Sequence, residues 1–251
     1  MRTMKVGIFD SGVGGLTVAK SVLSAGLFKE AIYYGDTARA PYGIKDENTI
    51  IRYALEAIEF FKNFSIDMLI VACNTVSACA IEEMQKNAPF EIVGVIEPGV
   101  MSVLKQNPPK DAPILVIGTQ ATIQNGVYQQ ALFANGFTHI TALATGLFVP
   151  LVEEGIVSGP LLEAAMEHYF HGLKEPSIII LGCTHFPIIA PAISAKFPNA
   201  LLVHSGNGIV DILKTKYNLV EQTNKTDLKL FASSVPERLK MTAKYWLHGV
   251  A

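Results

Sequence analysis

Two cysteines carry the strongest chemical signal in the chain. Cys73 and Cys183 each close an apolar run, LIVA before Cys73-Asn74-Thr75 and IILG before Cys183-Thr184-His185. In open α/β sheets, ligands bind beyond the carboxyl ends of the strands. Asn and Thr after the cysteine are helix-capping residue types, so a helix starting there would turn backbone N–H groups back toward the sulfur. Such a setting lowers a thiol pKa from about 8.5 and makes thiolate accessible near neutrality. One cysteine at a strand end is better explained as a small hydrophobe; two at matching places are not. Cys79 lies inside the apolar helical segment that follows Cys73, has no counterpart, and reads as core packing.

The loop Asp10-Ser11-Gly12-Val13-Gly14-Gly15 follows the first strand-like run and opens a helix. Its glycines let backbone N–H groups approach an anion such as a carboxylate, or simply make a tight β–α turn. Their spacing does not fit the dinucleotide fingerprint G-x-G-x-x-G, and no Walker lysine is present. Asp10 either orients a nearby thiol or caps the turn. His185, two residues beyond Cys183, is placed for the equivalent role or is a satisfied structural histidine. Glu153 either partners His185 or is a solvated glutamate at a helix start.

These residues need elements to hold them. Short β-branched runs recur at Lys5–Phe9, Ile32–Tyr34, Met68–Ala72, Ile92–Ile96, Ile114–Ile117, Ser177–Leu181 and Leu201–Val203. They read as strands of a sheet covered on both faces. Amphipathic segments at Glu47–Asn63, Val76–Lys86, Gly126–Asn135 and Leu161–His171 alternate with them, which implies βαβ units and an α/β fold with mostly parallel sheets.

A repeat emerges from spacing rather than identity. Thr119 follows Asp10 by 109 residues, Pro150 follows Pro41 by 109, Cys183 follows Cys73 by 110, and His204 follows Glu97 by 107. Each point ends a strand-like run, so the chain is expected to hold two pseudo-symmetric α/β half-domains facing a central cleft. Residues 1–97 form the first and 98–207 the second. The tail, 208–251, reads as helix-rich and is assigned to the first half. No low-complexity linker separates the halves.

The composition excludes several classes. Half of the 251 residues are hydrophobic, 17% are charged, and the net charge is −2. The 20 Lys and Arg are scattered, leaving no electrostatic footprint for nucleic acid or an anionic membrane. The uncharged stretches Ala112–Val152 and Pro176–Ala195 are too often interrupted by polar residues, Gly or Pro to span a bilayer. Three cysteines are too few and too widely spaced for a disulfide framework or a zinc site. The N-terminal MRTMKVGIFDSG runs straight into a strand and lacks a signal peptide's apolar region. The chain reads as a soluble protein of the reducing cytoplasm, acting on a small molecule, with no metal.

Two strand-end thiols in facing half-domains suit one reaction type. Inverting a stereocentre requires taking a proton from one face and delivering one to the other. Two acid/base groups on opposite faces do this without moving the substrate, one as thiolate and its twin as thiol. The carbanion's carboxylate would be held by amides and hydroxyls, with Ser11, Asn74, Thr75, Thr119, Thr122 and Thr184 as candidates. A pyridoxal phosphate enzyme needs a Schiff-base lysine, and no lysine sits in the repeated strand-end motifs. No cofactor is therefore expected. A two-lobed amino-acid binding protein is the non-enzymatic alternative, though it has no need of paired thiols.

The segments IFDSGVGGLTV, YYGDTARAPYG, LIVACNTVSA, VIEPG and LGCTHFP resemble, in order across about 200 residues, those of bacterial glutamate racemases in the aspartate/glutamate racemase superfamily. The resemblance implies that Cys73 acts on the D-enantiomer and Cys183 on the L-enantiomer, assisted by Asp10, Glu153 and His185. It implies substrate contacts at Asp10, Ser11, Tyr42, Gly43, Asn74, Thr75, Thr184 and His185. It also implies a homodimer and a product, D-glutamate, that feeds peptidoglycan synthesis, cell-wall biogenesis and cell shape. An aspartate or other acidic amino-acid racemase of the same superfamily is the alternative enzyme. One departure is His204, where many relatives carry Asp.

Overall fold

The computed structural model describes residues 4–221 and 225–250. Residues 1–3 of the N-terminal stretch, and 222–224 and 251 of the tail, lie outside the described residues. The strands, in chain order, are β1 (Lys5–Asp10), β2 (Glu30–Gly35), β3 (Met68–Val71), β4 (Glu91–Gly94) and β5 (Ile114–Gly118). They continue with β6 (Ile140–Ala144), β7 (Ile178–Gly182), β8 (Leu201–Val203) and β9 (Asp227–Ala232). They form two sheets, β4-β3-β1-β2-β9 and β6-β5-β7-β8, in which every described ladder is parallel.

Read from its other edge, the second sheet runs β8-β7-β5-β6 and reproduces the order β4-β3-β1-β2 of the first. The pseudo-symmetry inferred from spacing is thus present in the topology. In each sheet the first strand lies between the second and third. Order therefore reverses there, leaving a crevice at the carboxyl ends of β1 and β3, and another at those of β5 and β7. Phe9 pairs with Val71, and Gly118 with Gly182. The next residues along, Asp10, Ser11 and Cys73 in one sheet and Thr119 and Cys183 in the other, emerge side by side.

Alternate side chains on the strands feed opposite faces. Val6, Ile8 and Ile70 enter one core of the first sheet, while Phe9, Leu69 and Val71 enter the other. In the second sheet, Ile117, Ile179 and Leu181 face one core, and Ile114, Val116 and Ile180 the other. Each fully buried side chain of this kind stabilises the fold by about 1.5–3 kcal/mol. The strands that carry the thiols are buried throughout.

Several boundaries differ from the sequence expectation. The segment Val76–Lys86 is two helices, Asn74–Cys79 and Ile81–Asn87, broken at Ala80. β4 stops at Gly94, and Ile96 already begins the helix Ile96–Leu104. β6 was not anticipated; it is a half-exposed edge strand inside an uncharged stretch. The tail is not simply helical. After the helix Ser205–Thr215 it adds β9 beside β2, pairing Glu30 with Asp227 through Gly35 with Ala232. The helix Pro236–Trp246 follows, and its Trp246 touches cores of both sheets.

A candidate active site where the two sheets meet

Cys73 is the N-cap residue of the helix Asn74–Cys79 and is 5% exposed. Its Sγ–H donates to Ser11 Oγ at 3.4 Å, and the Val76 N–H is directed at the sulfur. The expected backbone donor is therefore present, but Asn74 and Thr75 do not cap the helix with their side chains. The expected lowering of the thiol pKa is reversed. Burial pushes Cys73 up to about 12, and the Asp10 charge adds to that, outweighing Ser11 and Val76.

Cys183 is surrounded differently. Beyond it lies a 3₁₀ turn, Phe186–Ile189, rather than the α-helix start expected from sequence. Its Sγ is 3.7 Å from His185 Nδ1, and His185 Nε2 is 2.6 Å from Glu153 Oε1. A carboxylate only accepts, so Nε2 carries a proton and Nδ1 is left to share one with the thiol. Burial alone would lower the His185 pKa, but its bonds to Cys183 and Glu153 carry it up to about 10. Burial likewise opposes ionisation of Glu153, yet His185 and then Arg238 hold it below its ordinary value. Glu153 sits at the end of the helix Phe148–Glu153, not at a helix start.

Asp10 joins the two thiol loops. Its Oδ2 accepts from the Gly12 N–H at 2.9 Å, and its Oδ1 accepts from Thr184 Oγ1 at 3.3 Å. Burial raises its pKa above the usual carboxylate value, against the His185 charge, the Gly12 and Gly15 amides and Thr184. Two amides of the glycine loop thus serve Asp10 itself, which favours the turn reading of those glycines. The close packing also needs them: a Cβ on Gly14 would lie 2.4 Å from Thr184 Oγ1 and 2.6 Å from the His185 ring. Thr17 Oγ1 adds a 2.8 Å bond to the Thr184 carbonyl.

Hydroxyls close the other side. Thr75 Oγ1 lies 2.8 Å from Thr119 Oγ1, which lies 2.9 Å from Thr122 Oγ1 and caps the helix Gln120–Asn125. Gly43 accepts from the Ala121 N–H at 3.0 Å, and a Cβ on it would meet Thr119 Cβ at 2.4 Å. Tyr42 is buried and donates to Asp36, which also accepts from Arg39 Nε at 2.6 Å. Asn74 Oδ1 accepts from Tyr128 OH at 2.7 Å, whereas the buried Asn74 Nδ2 has no hydrogen-bond partner.

The residues singled out in the sequence therefore converge at the facing strand ends. Tyr33, which donates to the Gly12 carbonyl at 2.8 Å, was missed, as were Tyr128, Asp36 and Arg238. Tyr33 and Asp36 had a signal, both lying within the YYGDTARAPYG stretch that ends at Tyr42 and Gly43. His204 belongs elsewhere: it caps the helix Ser205–Thr215, with Nδ1 accepting from the Gly206 N–H at 3.1 Å. An Asp at that position would make the same bond. Among the described residues, no group of three or more His, Cys, Asp or Glu side chains is arranged to hold a metal. No helix among them is long and apolar enough to cross a membrane.

Residues 18–210 match the family model of Asp/Glu/hydantoin racemases. The chain is 58% identical over 245 residues to a glutamate racemase of Nitratiruptor sp., covering 97% of this chain and 96% of that one. Its fold superposes on the crystal structure of a glutamate racemase from Campylobacter jejuni with a TM-score of 0.97, at 51% identity, covering 99% and 100% of the two chains. A glutamate racemase from Francisella tularensis, solved in complex with D-glutamate, matches with a TM-score of 0.86 at 32% identity, covering 99% of this chain and 95% of that one.

Proposed function

Because the chain belongs to the Asp/Glu/hydantoin racemase family, and within it to the glutamate racemases, we propose that it interconverts L- and D-glutamate with its two thiols as the proton carriers. The observation that carries this reading is the pairing of two buried strand-end thiols across the Asp10–Thr184 junction.

From L-glutamate, Cys183 as thiolate takes the α-proton, and Cys73 as thiol gives its own to the opposite face. The reaction leaves Cys183 protonated and Cys73 as thiolate; after the product leaves, proton exchange with water restores the start, and D-glutamate reacting in reverse does the same. The environments suit this allocation. Burial and Asp10 keep Cys73 protonated at rest. His185, with its Nε2 proton held by Glu153, offers Nδ1–H to a thiolate at Cys183. Each transfer changes the charge at one sulfur by one unit. Both proton carriers are side chains of the chain, so the reading requires no pyridoxal phosphate.

Negative charge on the substrate meets donors already in place. The unpartnered Asn74 Nδ2, with the Ser11 and Thr75 hydroxyls, is suited to the α-carboxylate, while Thr184 gives its hydroxyl proton to Asp10. Preorganised donors of this kind stabilise charge developing beside the α-carbon without reorganisation. Tyr42, Gly43, Thr119 and Thr122 form the adjoining wall, and His185 and Asp10 complete the contacts on the Cys183 side.

A division into two domains, 1–97 with 208–251 and 98–207, is supported by two sheets that each have their own pair of cores. We further infer a cytoplasmic homodimer whose D-glutamate supplies peptidoglycan synthesis. The test is circular dichroism of L-glutamate and, separately, L-aspartate with dialysed protein, while NMR in D₂O follows the α-proton. Decay of optical activity with α-proton loss from glutamate is the expected result. Exchange with aspartate alone would change the substrate, and exchange with neither would overturn the reading.

A further inference from the structure

One side chain reaches the Cys183 side of the site from the far end of the chain. Arg238 Nη2 donates to the Glu153 carbonyl at 2.9 Å and to Glu153 Oε2 at 3.3 Å. The other carboxylate oxygen, Oε1, is the one that holds His185. Glu153 thus has one oxygen for the imidazole and one for the guanidinium, and its carbonyl is held as well. A two-point hold of this kind fixes the plane of the carboxylate, which a single contact does not.

Arg238 itself is held by the first sheet. Three residues separate the helix Pro236–Trp246 from β9, which is paired with β2 along its length. At the junction, Thr37 Oγ1 accepts from the Ser234 N–H at 3.1 Å, and Ser233 Oγ accepts from the Ala38 N–H at 2.9 Å. Glu153 ends a helix of the second half. The contact therefore ties the first sheet's added strand to the partner of His185.

We propose that Arg238 is a positioning residue for the proton transfer at Cys183, acting by orienting Glu153 against His185. This rests on the assignment of Cys183 and His185 under the proposed function. The groups facing His185 are Cys183, Glu153 and Asp10, with Arg238 behind Glu153. Without Arg238 the carboxylate is free to turn toward solvent, since Glu153 is a quarter exposed. The imidazolium then loses its support, and a thiolate at Cys183 loses its partner.

Arg238 is itself half exposed, so the expected effect is modest: Arg238→Ala lowers kcat/KM about fivefold, and Arg238→Lys recovers most of the loss. In a Glu153→Gln background the same change should cost nothing further, because the route through Glu153 is already cut. Alkylation of Cys183 by iodoacetamide at fixed pH, resolved by mass spectrometry, should slow in Arg238→Ala. If alanine loosens the helix, seen as a lower melting temperature, Arg238→Gln keeps the aliphatic stem and removes the charge. Wild-type kinetics in Arg238→Ala, or an equal loss with and without Glu153, would overturn the proposal. A wild-type protein that racemises nothing would instead overturn the functional reading, and the alkylation rate would still report the Arg238 contact.

Discussion

Thr184 Oγ1 donates to Asp10 Oδ1 at 3.3 Å, so a carboxylate at the end of one sheet is held by the residue beside the thiol of the other. Both residues are buried. The bond joins two half-sites that sequence spacing had related only as repeats. It also puts one negative charge beside the Cys73 thiol and the His185 ring.

Replacing Asp10 by Asn tests that charge in two ways. Turnover should fall by about 100- to 10,000-fold if the carboxylate supports proton transfer. Meanwhile Cys73 should alkylate at lower pH, because the neighbouring charge that raises its pKa is gone. Stability should move the opposite way from activity. The folded-state pKa of Asp10 is raised, so ionisation penalises folding at neutral pH and the penalty is absent below the unfolded carboxylate value. The variant should therefore melt higher than wild type at pH 7, with the gap closing as the pH falls. A lower melting temperature at pH 7 contradicts this.

The three cysteines should separate cleanly. Cys73→Ser and Cys183→Ser each remove a proposed proton carrier but little volume, so turnover should drop by about 100-fold or more with melting temperature nearly unchanged. Cys79 packs at the margin of one core of the first sheet, and Cys79→Ala should keep full turnover. Assays of the three purified variants decide the matter; substantial racemisation by either serine variant argues against the thiol pair.

Gly14→Ala should damage both fold and activity. Its Cβ would collide with Thr184 and His185, neither of which can withdraw without losing a bond to Asp10 or Glu153. Overpacking of this kind costs about 1–3 kcal/mol. Denaturant titration and kcat/KM should fall together, and a stable, active variant would show that the glycine loop moves more freely than the contacts allow.

Tyr128→Phe removes one hydroxyl and leaves Asn74 Oδ1 buried without its donor. Asn74 then loses the anchor that keeps its Nδ2 available to a substrate carboxylate. A stability loss of about 1–3 kcal/mol is expected, with KM raised more than kcat is lowered. Unchanged KM would mean that Asn74 is fixed by other contacts or does not bind substrate.

Much of this was legible in the sequence because the site is built from strand ends. A buried strand followed by a polar turn is a local pattern, and Cys73 and Cys183 both carry it. The spacing of Asp10, Cys73, Thr119 and Cys183 carried the correspondence between the two halves as well. What escaped reading depends on distance and burial. β6 and β9 are edge strands, half exposed, without the continuous apolar run of β3 or β7. The polarity of the Cys73 thiol was misjudged because helix amides are visible in a sequence pattern, whereas desolvation is not. Arg238 lies 85 residues from Glu153 on a tail helix whose sequence shows only amphipathicity.

The central claim is that two groups on opposite faces carry the proton, and isotope placement tests it most directly. L-glutamate is converted in D₂O to low extent, the enantiomers are separated, and α-deuterium is measured in each by mass spectrometry. Two thiols predict D-glutamate carrying solvent deuterium almost completely and residual L-glutamate carrying almost none. Protium retained in the product, or deuterium entering L-glutamate as fast as D-glutamate forms, would mean one base serving both faces and would contradict the account.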